Sequence, residues 1–328
     1  MDPQDEAPLR PNFSQVLDTS NVAKGMQLRS DRQEVLCKLQ DNRNAHYQRN
    51  YQLNARSPIN TLPAEVLSLI FLEYKNSFDS DQSENYTMIQ SQLLSITFVC
   101  RHWRSVALGC ANLWNNIEIG RSTRWDYTLL FLRLFKQTPL SICIKPCRHV
   151  PIARGLVVQN MYRIQTYREE VDRRFHEPPL LPEDVRAPVL QKLSLEGFPE
   201  MPDLGLMHLP LLRHFSASFT RVNLASFIGF LPNFSNITDL QLQYIRCERN
   251  SHNENSLHGL FANLPKLRRL VWDHGFRIYE DVPVPQSRVF LPLEHLVIED
   301  TADWIAALLG TLDVPSTVTM RIHISKSR

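Results

Sequence analysis

Apolar side chains follow three rhythms along this chain, and each predicts a different kind of element. Between residues 21 and 56 there is no proline, and Leu28, Val35, Leu39, Asn42, His46 and Leu53 recur near heptad spacing among Lys, Arg, Glu and Gln. That rhythm predicts one long polar helix. Its stripe is weak as a coiled-coil seam, because Asn42 and His46 stand where such a seam wants Leu or Ile. A solvated helix lying against the following module is the first expectation, and a coiled-coil pair the second. Residues 1–20 carry Pro3, Pro8 and Pro11 among polar residues with few apolar anchors, so a loose tail is expected there.

The run Ser57-Pro58-Ile59-Asn60-Thr61-Leu62-Pro63 ends the first rhythm. Pro58 disfavours helix at Ser57 and Pro63 suits a first helical turn, so a new domain is placed at residues 57–120. Within it Leu62, Val66, Leu67, Ile70 and Phe71 fall at amphipathic offsets, with Glu65 in the first turn where the helix dipole favours an acid. Residues 75–92, polar and rich in Ser, Asp and Asn, read as an inserted loop. Leu93, Leu94, Ile96, Phe98 and Val99 then lead through Cys100, Trp103 and Arg104 to Val106, Ala107 and Leu108. This is a second helical stretch, and Gly109 can end it.

After Leu113 and Trp114 the third rhythm begins, in which short alternating runs follow helical ones. Ile117 and Ile119 alternate, residues 125–136 have the apolar density of a packed helix, and Leu140, Ile142 and Ile144 alternate again. Further on an apolar triplet recurs: Leu190, Leu193, Leu195; Leu212, Phe215, Ala217; Ile237, Leu240, Leu242; Leu267, Leu270, Trp272; Leu293, Leu296, Ile298. The central positions are 22, 25, 30 and 26 residues apart. Leucine-rich repeats run about 20–29 residues, so three gaps fit and one needs a small insertion. Each triplet is expected to form a strand whose leucines share a column with neighbouring repeats. Residues 225–230, 257–262 and 304–309 supply the return segments. Earlier strands at Ile117, Ile142 and Ile164 would extend the array, and Val318, Met320, Ile322 and Ile324 could close it. The charged, proline-rich stretch within 148–188 is where the pattern is faintest. The expected fold class is an α+β to α/β repeat protein, with a polar N-terminal helix, a small helical bundle at 57–120, and a leucine-rich-repeat-like solenoid at 121–328.

Composition narrows the function. Lys and Arg total 36 against 34 Asp and Glu, a formal charge of +2, so no global field invites nucleic acid or an anionic membrane. The six cysteines, Cys37, Cys100, Cys110, Cys143, Cys147 and Cys247, are scattered and suit free buried thiols in a reducing compartment. With no basic start followed by an apolar stretch and no run near the roughly twenty residues needed to span a bilayer, a cytoplasmic or nuclear protein is expected. Cys143, Cys147 and His149 lie close enough in sequence to suggest zinc ligands, but no second pair follows at ligand spacing. Cys100 lies beside Arg101 and Arg104, which could lower a thiol pKa, but a structural cysteine is the simpler reading. No phosphate loop, nucleophile elbow, His-Glu-x-x-His or dinucleotide glycine pattern occurs, so binding without catalysis and without a cofactor or metal is expected. His208, His214, His258 and His295 near repeat strands read as rim residues, and Arg268 and Arg269 beside Trp272 as a solvated face able to meet an acidic ligand.

Three blocks give the domain at 57–120 a family likeness: Leu62-Pro63-Ala64-Glu65-Val66-Leu67 with Ile70 and Phe71; Val99-Cys100-Arg101-His102-Trp103-Arg104; and Leu113-Trp114. In this order they resemble an F-box, and with the polar helix and the degenerate repeats the chain looks most like F-box proteins abundant in mushroom-forming fungi. The resemblance implies a helical bundle that binds the Skp-type adaptor of a cullin-RING ubiquitin ligase, while the repeats bind an unknown target protein for the ubiquitin-conjugation pathway. By position it implies adaptor contacts at Pro58, Leu62, Pro63, Val66, Leu67, Ile70, Phe71, Val99, Cys100, Trp103, Leu108, Leu113 and Trp114. The alternatives are a repeat scaffold whose F-box has decayed, and an enzyme on a repeat-like fold.

Overall fold

The structure is a computed structural model that describes residues 19–79, 86–121, 123–135, 137–147, 150–172, 180–181, 186–200, 207–221, 227, 229, 231–244, 256–274 and 288–325. Most of the expected tail, His149 and Cys247 lie outside the described residues. The first element, α1 (Thr19–Ala55), is a single helix of 37 residues. Every described side chain in it is exposed, including Leu28, Val35, Leu39 and Leu53. The helix is thus solvated along its described length, and its end meets the next module through Asn54, whose carbonyl accepts from the Asn60 side chain. The helix's apolar positions are sparse, being interrupted by Arg32, Asn42 and His46, and local side-chain pairs such as Lys38 with Glu34 at 2.6 Å line it. No helix among the described residues is long and apolar enough to cross a membrane.

A short 3-10 turn at Pro58–Thr61 leads into α2 (Ala64–Asp79), α3 (Tyr86–Val99) and α4 (Arg101–Gly109), followed by a second 3-10 turn at Ala111–Leu113. Two expectations are corrected here. The inserted loop shrinks, because residues 75–79 continue α2 and 86–92 belong to α3. Lys75, polar in the sequence, is buried on the inner side of α2, and its ammonium donates to the Asn112 carbonyl at 2.8 Å and Asn115 Oδ1 at 2.7 Å. Residues 93–108 form two helices rather than one stretch. Cys100 takes an extended conformation and caps α4, its sulfur accepting from the Trp103 N–H at 3.4 Å.

The rest of the chain builds one nine-stranded sheet: β1 (Asn116–Ile119), β2 (Leu140–Ile144), β3 (Ile164–Glu170), β4 (Lys192–Glu200), β5 (His214–Arg221), β6 (Asp239–Gln243), β7 (Arg269–Asp273), β9 (His295–Asp300) and β11 (Thr319–Ile324). All neighbours pair in parallel and stand in chain order. A two-residue ladder between β8 (Val289–Phe290) and β10 (Leu312–Asp313) lies apart from it. Parallel neighbours need a crossover, and α5 (Trp125–Leu134), α6 (Val150–Asn160), α7 (Ser256–Ala262) and α8 (Ala302–Thr311) occupy some of these returns.

The register makes columns. Ile117, Ile142, Tyr167, Leu193, Phe215, Leu240, Leu270 and Leu296 stand side by side and are all buried. Two positions on, Ile119, Ile144, Glu169, Leu195, Ala217, Leu242, Trp272 and Ile298 form a second column. Tyr167, not Ile164, holds the central position of β3; Ile164 pairs with Leu140. Glu169 is the buried acid in an apolar column, and it is satisfied there by the Tyr167 hydroxyl at 2.7 Å and the Leu180 N–H at 2.9 Å. The closing strand β11 pairs with β9 as expected, yet all six of its residues are exposed, because its far edge has no neighbour among the described residues.

Leu270→Ala is expected to cost about 2–5 kcal/mol through lost burial and a residual cavity. Gln241→Ala, on the opposite face of a neighbouring strand, should stay within about 0.5 kcal/mol. Gly197 has φ +79°, and a Cβ there would meet the Val171 carbonyl, so Gly197→Ala should cost about 1–3 kcal/mol. Urea unfolding of the full chain measures all three, and equal midpoints for Leu270→Ala and Gln241→Ala would contradict the column arrangement.

Candidate functional site

The helical domain is fixed by a few polar links around an apolar centre. The Asn60 side chain donates to the Asn54 carbonyl at 2.7 Å, and its Oδ1 accepts from the Trp103 indole N–H at 2.7 Å, which ties the end of α1 and the first turn to α4. The Trp114 indole donates to the Ala107 carbonyl at 2.7 Å, and its ring stacks on Phe131 of α5 with centroids 4.7 Å apart and planes 14° from parallel. Phe131 thus joins a core made by Leu67, Phe71, Leu93, Ile96, Val106, Ala107, Leu113 and Trp114. The carbonyls at the end of α5 are met in turn by the buried Arg163, which bonds to Leu132 O at 3.1 Å and to Phe135 O, while Asn160 Oδ1 accepts from the same guanidinium at 2.7 Å.

This packing divides the thirteen residues singled out from the sequence. Leu67, Phe71, Leu113 and Trp114 are buried in the core of the domain. Leu62, Cys100 and Trp103 are half-buried. Pro58, Pro63, Val66, Ile70, Val99 and Leu108 are exposed. Four large apolar residues not singled out join them: Ile59, Leu69 at 65% exposure, Tyr74, and Phe98 at 72%. Val66, Leu69, Ile70 and Tyr74 recur at three- and four-residue spacing, so α2 carries two apolar faces, an inner one through Leu67 and Phe71 and an outer one in water. The signal lies in the sequence as apolar positions of α2 beside the inner stripe, which the family blocks only partly include. Scattered surface leucines are ordinary, but apolar side chains gathered on one small domain mark a surface for a partner.

The outward face of the sheet is polar. On its early strands the charges are matched: Lys145 faces Glu118 at 3.3 Å, and Arg168 bridges Glu170 and Glu196, each at 3.1 Å. Burial pushes the Glu118 carboxyl above its usual range, with Lys145 opposing the shift. Cys143 shares this region, and burial, together with Glu170, pushes its thiol up to about 12, so that the sulfur is protonated at neutral pH. Asp273, His274 and Glu299 bring three potential ligand atoms within 4.8 Å of one another. His274 Nδ1 already meets Asp273 at 2.7 Å, and the His274 ring stacks on Tyr244.

The family model of F-box-like domains matches residues 59–119, the helical domain from the first 3-10 turn to the end of β1. No curated protein and no solved structure matches the chain. The chain thus carries an F-box-like domain in its N-terminal half.

Trp103→Phe, which removes only the indole donor to Asn60, is expected to cost about 1 kcal/mol, and Trp114→Ala about 3–5 kcal/mol, both read by denaturant unfolding. Because the Cys143 thiolate forms only as pH nears about 12, raising pH from 7 to 9 should leave Cys143 unlabelled by a maleimide while the exposed Cys37 labels readily. Peptide mapping of the labelled, folded chain decides this; labelling of Cys143 at the rate of Cys37 would contradict its burial.

Proposed function

We propose that this chain is a substrate-recognition adaptor of an SCF-type cullin-RING ubiquitin ligase, acting by binding and not by catalysis. F-box domains generally bind Skp-type adaptors, and the observation that carries the proposal is the outer apolar face of the matched domain: Val66, Leu69, Ile70 and Tyr74 on α2, with Phe98, Val99 and Leu108 beyond it. Such residues are stable in water only at the cost of hydrating apolar surface, and covering them with a partner removes that cost, at about 25 cal/mol per Å². A helix face of this kind suits docking in a groove through a few large anchors.

The second half of the proposal is that the sheet region is a degenerate leucine-rich-repeat array which holds the target protein. Support comes from triplets spaced 22 to 30 residues apart that occupy equivalent register positions on consecutive parallel strands. An open polar sheet face built from many strands offers a broad surface whose specificity lies in its exposed side chains. The cytoplasm or nucleus, where such ligases operate, is the compartment that fits this role.

The test is a pull-down of the full chain with the Skp-type adaptor of the same species, because Phe131 makes the helical domain share its core with the following region. Leu69→Asp with Phe98→Asp should abolish retention while the circular dichroism and melting temperature stay unchanged. Retention of that folded double variant would refute the apolar face as the docking site. A wild-type chain that fails to bind would favour a repeat scaffold with a decayed F-box.

A further inference from the structure

Strands β5, β6, β7 and β9 begin in the same way. The Gln191 carbonyl accepts from the N–H groups of both Arg213 and His214, Arg213 O from Thr238 and Asp239, Thr238 O from Arg268 and Arg269, and Arg268 O from Glu294 and His295. This repeated turn sets two rows of side chains along the starting edge of the sheet: His214, Asp239, Arg269 and His295 in register, with Arg213, Thr238, Arg268 and Glu294 just before them. The eight residues line an open depression of about 550 Å³.

Charge in the depression is not balanced. Its two acids are engaged, Asp239 by His214 Nδ1 at 3.1 Å and by the Thr238 hydroxyl at 2.8 Å, and Glu294 by Arg268 at 3.0 Å. Arg213 and Arg269 form no ion pair with a described residue, in contrast to the matched charges of Lys145 and Arg168 on the early strands. Lys192, the register neighbour of His214, adds a third cation at the rim. Burial holds the His214 imidazole below its usual pKa; Asp239 opposes this, and Lys192, Arg213 and Arg269 reinforce it, a sign that their positive field reaches this lining residue of the depression. Arg213 and Arg269 stand two strands apart, about 10 Å at the backbone, a span that two arginine side chains can close around one oxyanion. Guanidinium forks suit carboxylate and phosphate geometry, and no single stretch of sequence contains both arginines.

We propose that this depression is the subsite in which an acidic segment of the target protein is held, one oxyanion of that segment, carboxylate or phosphate, seated between Arg213 and Arg269. The proposal rests on the reading that the sheet face holds the target. It adds where and by what chemistry.

The experiment uses the full chain and three degenerate fluorescent peptide pools that share flanking residues and fix glutamate, phosphoserine or unmodified serine at the centre, with binding read by anisotropy. Binding of the glutamate or phosphoserine pool over the serine pool is expected. Arg213→Glu and Arg269→Glu should each weaken it about tenfold or more, as for loss of a charge-assisted hydrogen bond, and Arg268→Ala, already paired with Glu294, much less. Preference for the glutamate pool identifies a constitutively acidic target, and preference for the phosphoserine pool one that must first be phosphorylated. Binding of neither anionic pool over serine, or binding that persists in the folded Arg213→Glu, Arg269→Glu double variant, overturns the proposal. Retention of the Skp-type adaptor, measured on the same proteins, separates this outcome from failure of the adaptor reading, because both arginines lie outside the F-box-like domain.

Discussion

The whole of the C-terminal region depends on one constraint: consecutive strands pair in parallel with their alternating positions in step. A slip of one residue would turn every leucine of a strand from the column into water. The columns through Leu193 and Leu195 prevent it, because β4, β5, β6, β7 and β9 each contribute apolar residues at two positions and a third just before, at Leu190, Leu212, Ile237, Leu267 and Leu293, all buried. Parallel pairing also requires a return segment between strands, and this is why the triplets recur at intervals of 22 to 30 residues and not more closely. The opposite face, free of the column, is left to polar side chains and to whatever they bind.

The helical domain is joined to this array at its first strand. Trp114 closes the domain's core, stacks on Phe131 of α5, and lies two residues before β1, while Arg163 at the start of β3 secures the end of α5 from beneath. The bundle and the beginning of the sheet therefore share side chains, and the outer face of α2 and the polar face of the sheet belong to one packed framework. In an adaptor, that sharing would hold a docked ligase and a bound target in a defined relation.

The strands were legible because their signal is local: alternation over five residues, repeated with the same spacing, leaves little choice of face. The register of β3 is harder to read, because its central residue Tyr167 is followed at the next column position by Glu169, a charged residue that its bonds to Tyr167 and Leu180 help to make tolerable. The loop expected at 75–92 failed for a related reason. Lys75 looks like solvent in the sequence, and the carbonyl of Asn112 and the side-chain amide oxygen of Asn115, distant along the chain, help to give its ammonium a buried place. Within the candidate interface the family blocks located the right domain but mixed inward residues with outward ones. Leu67 and Ile70 differ in exposure because of where α3 and α4 pack, which a motif does not record. The cationic depression was least legible, since Arg213 and Arg269 meet only through the fold.

Hydrogen–deuterium exchange on the full chain, with and without the Skp-type adaptor, tests the central claim most directly. The account predicts slowed exchange in peptides covering α2 and the junction of α3 and α4, with the strands β5 to β9 unchanged. Slowed exchange confined to the sheet, with α2 unaffected in a complex that demonstrably forms, would contradict it.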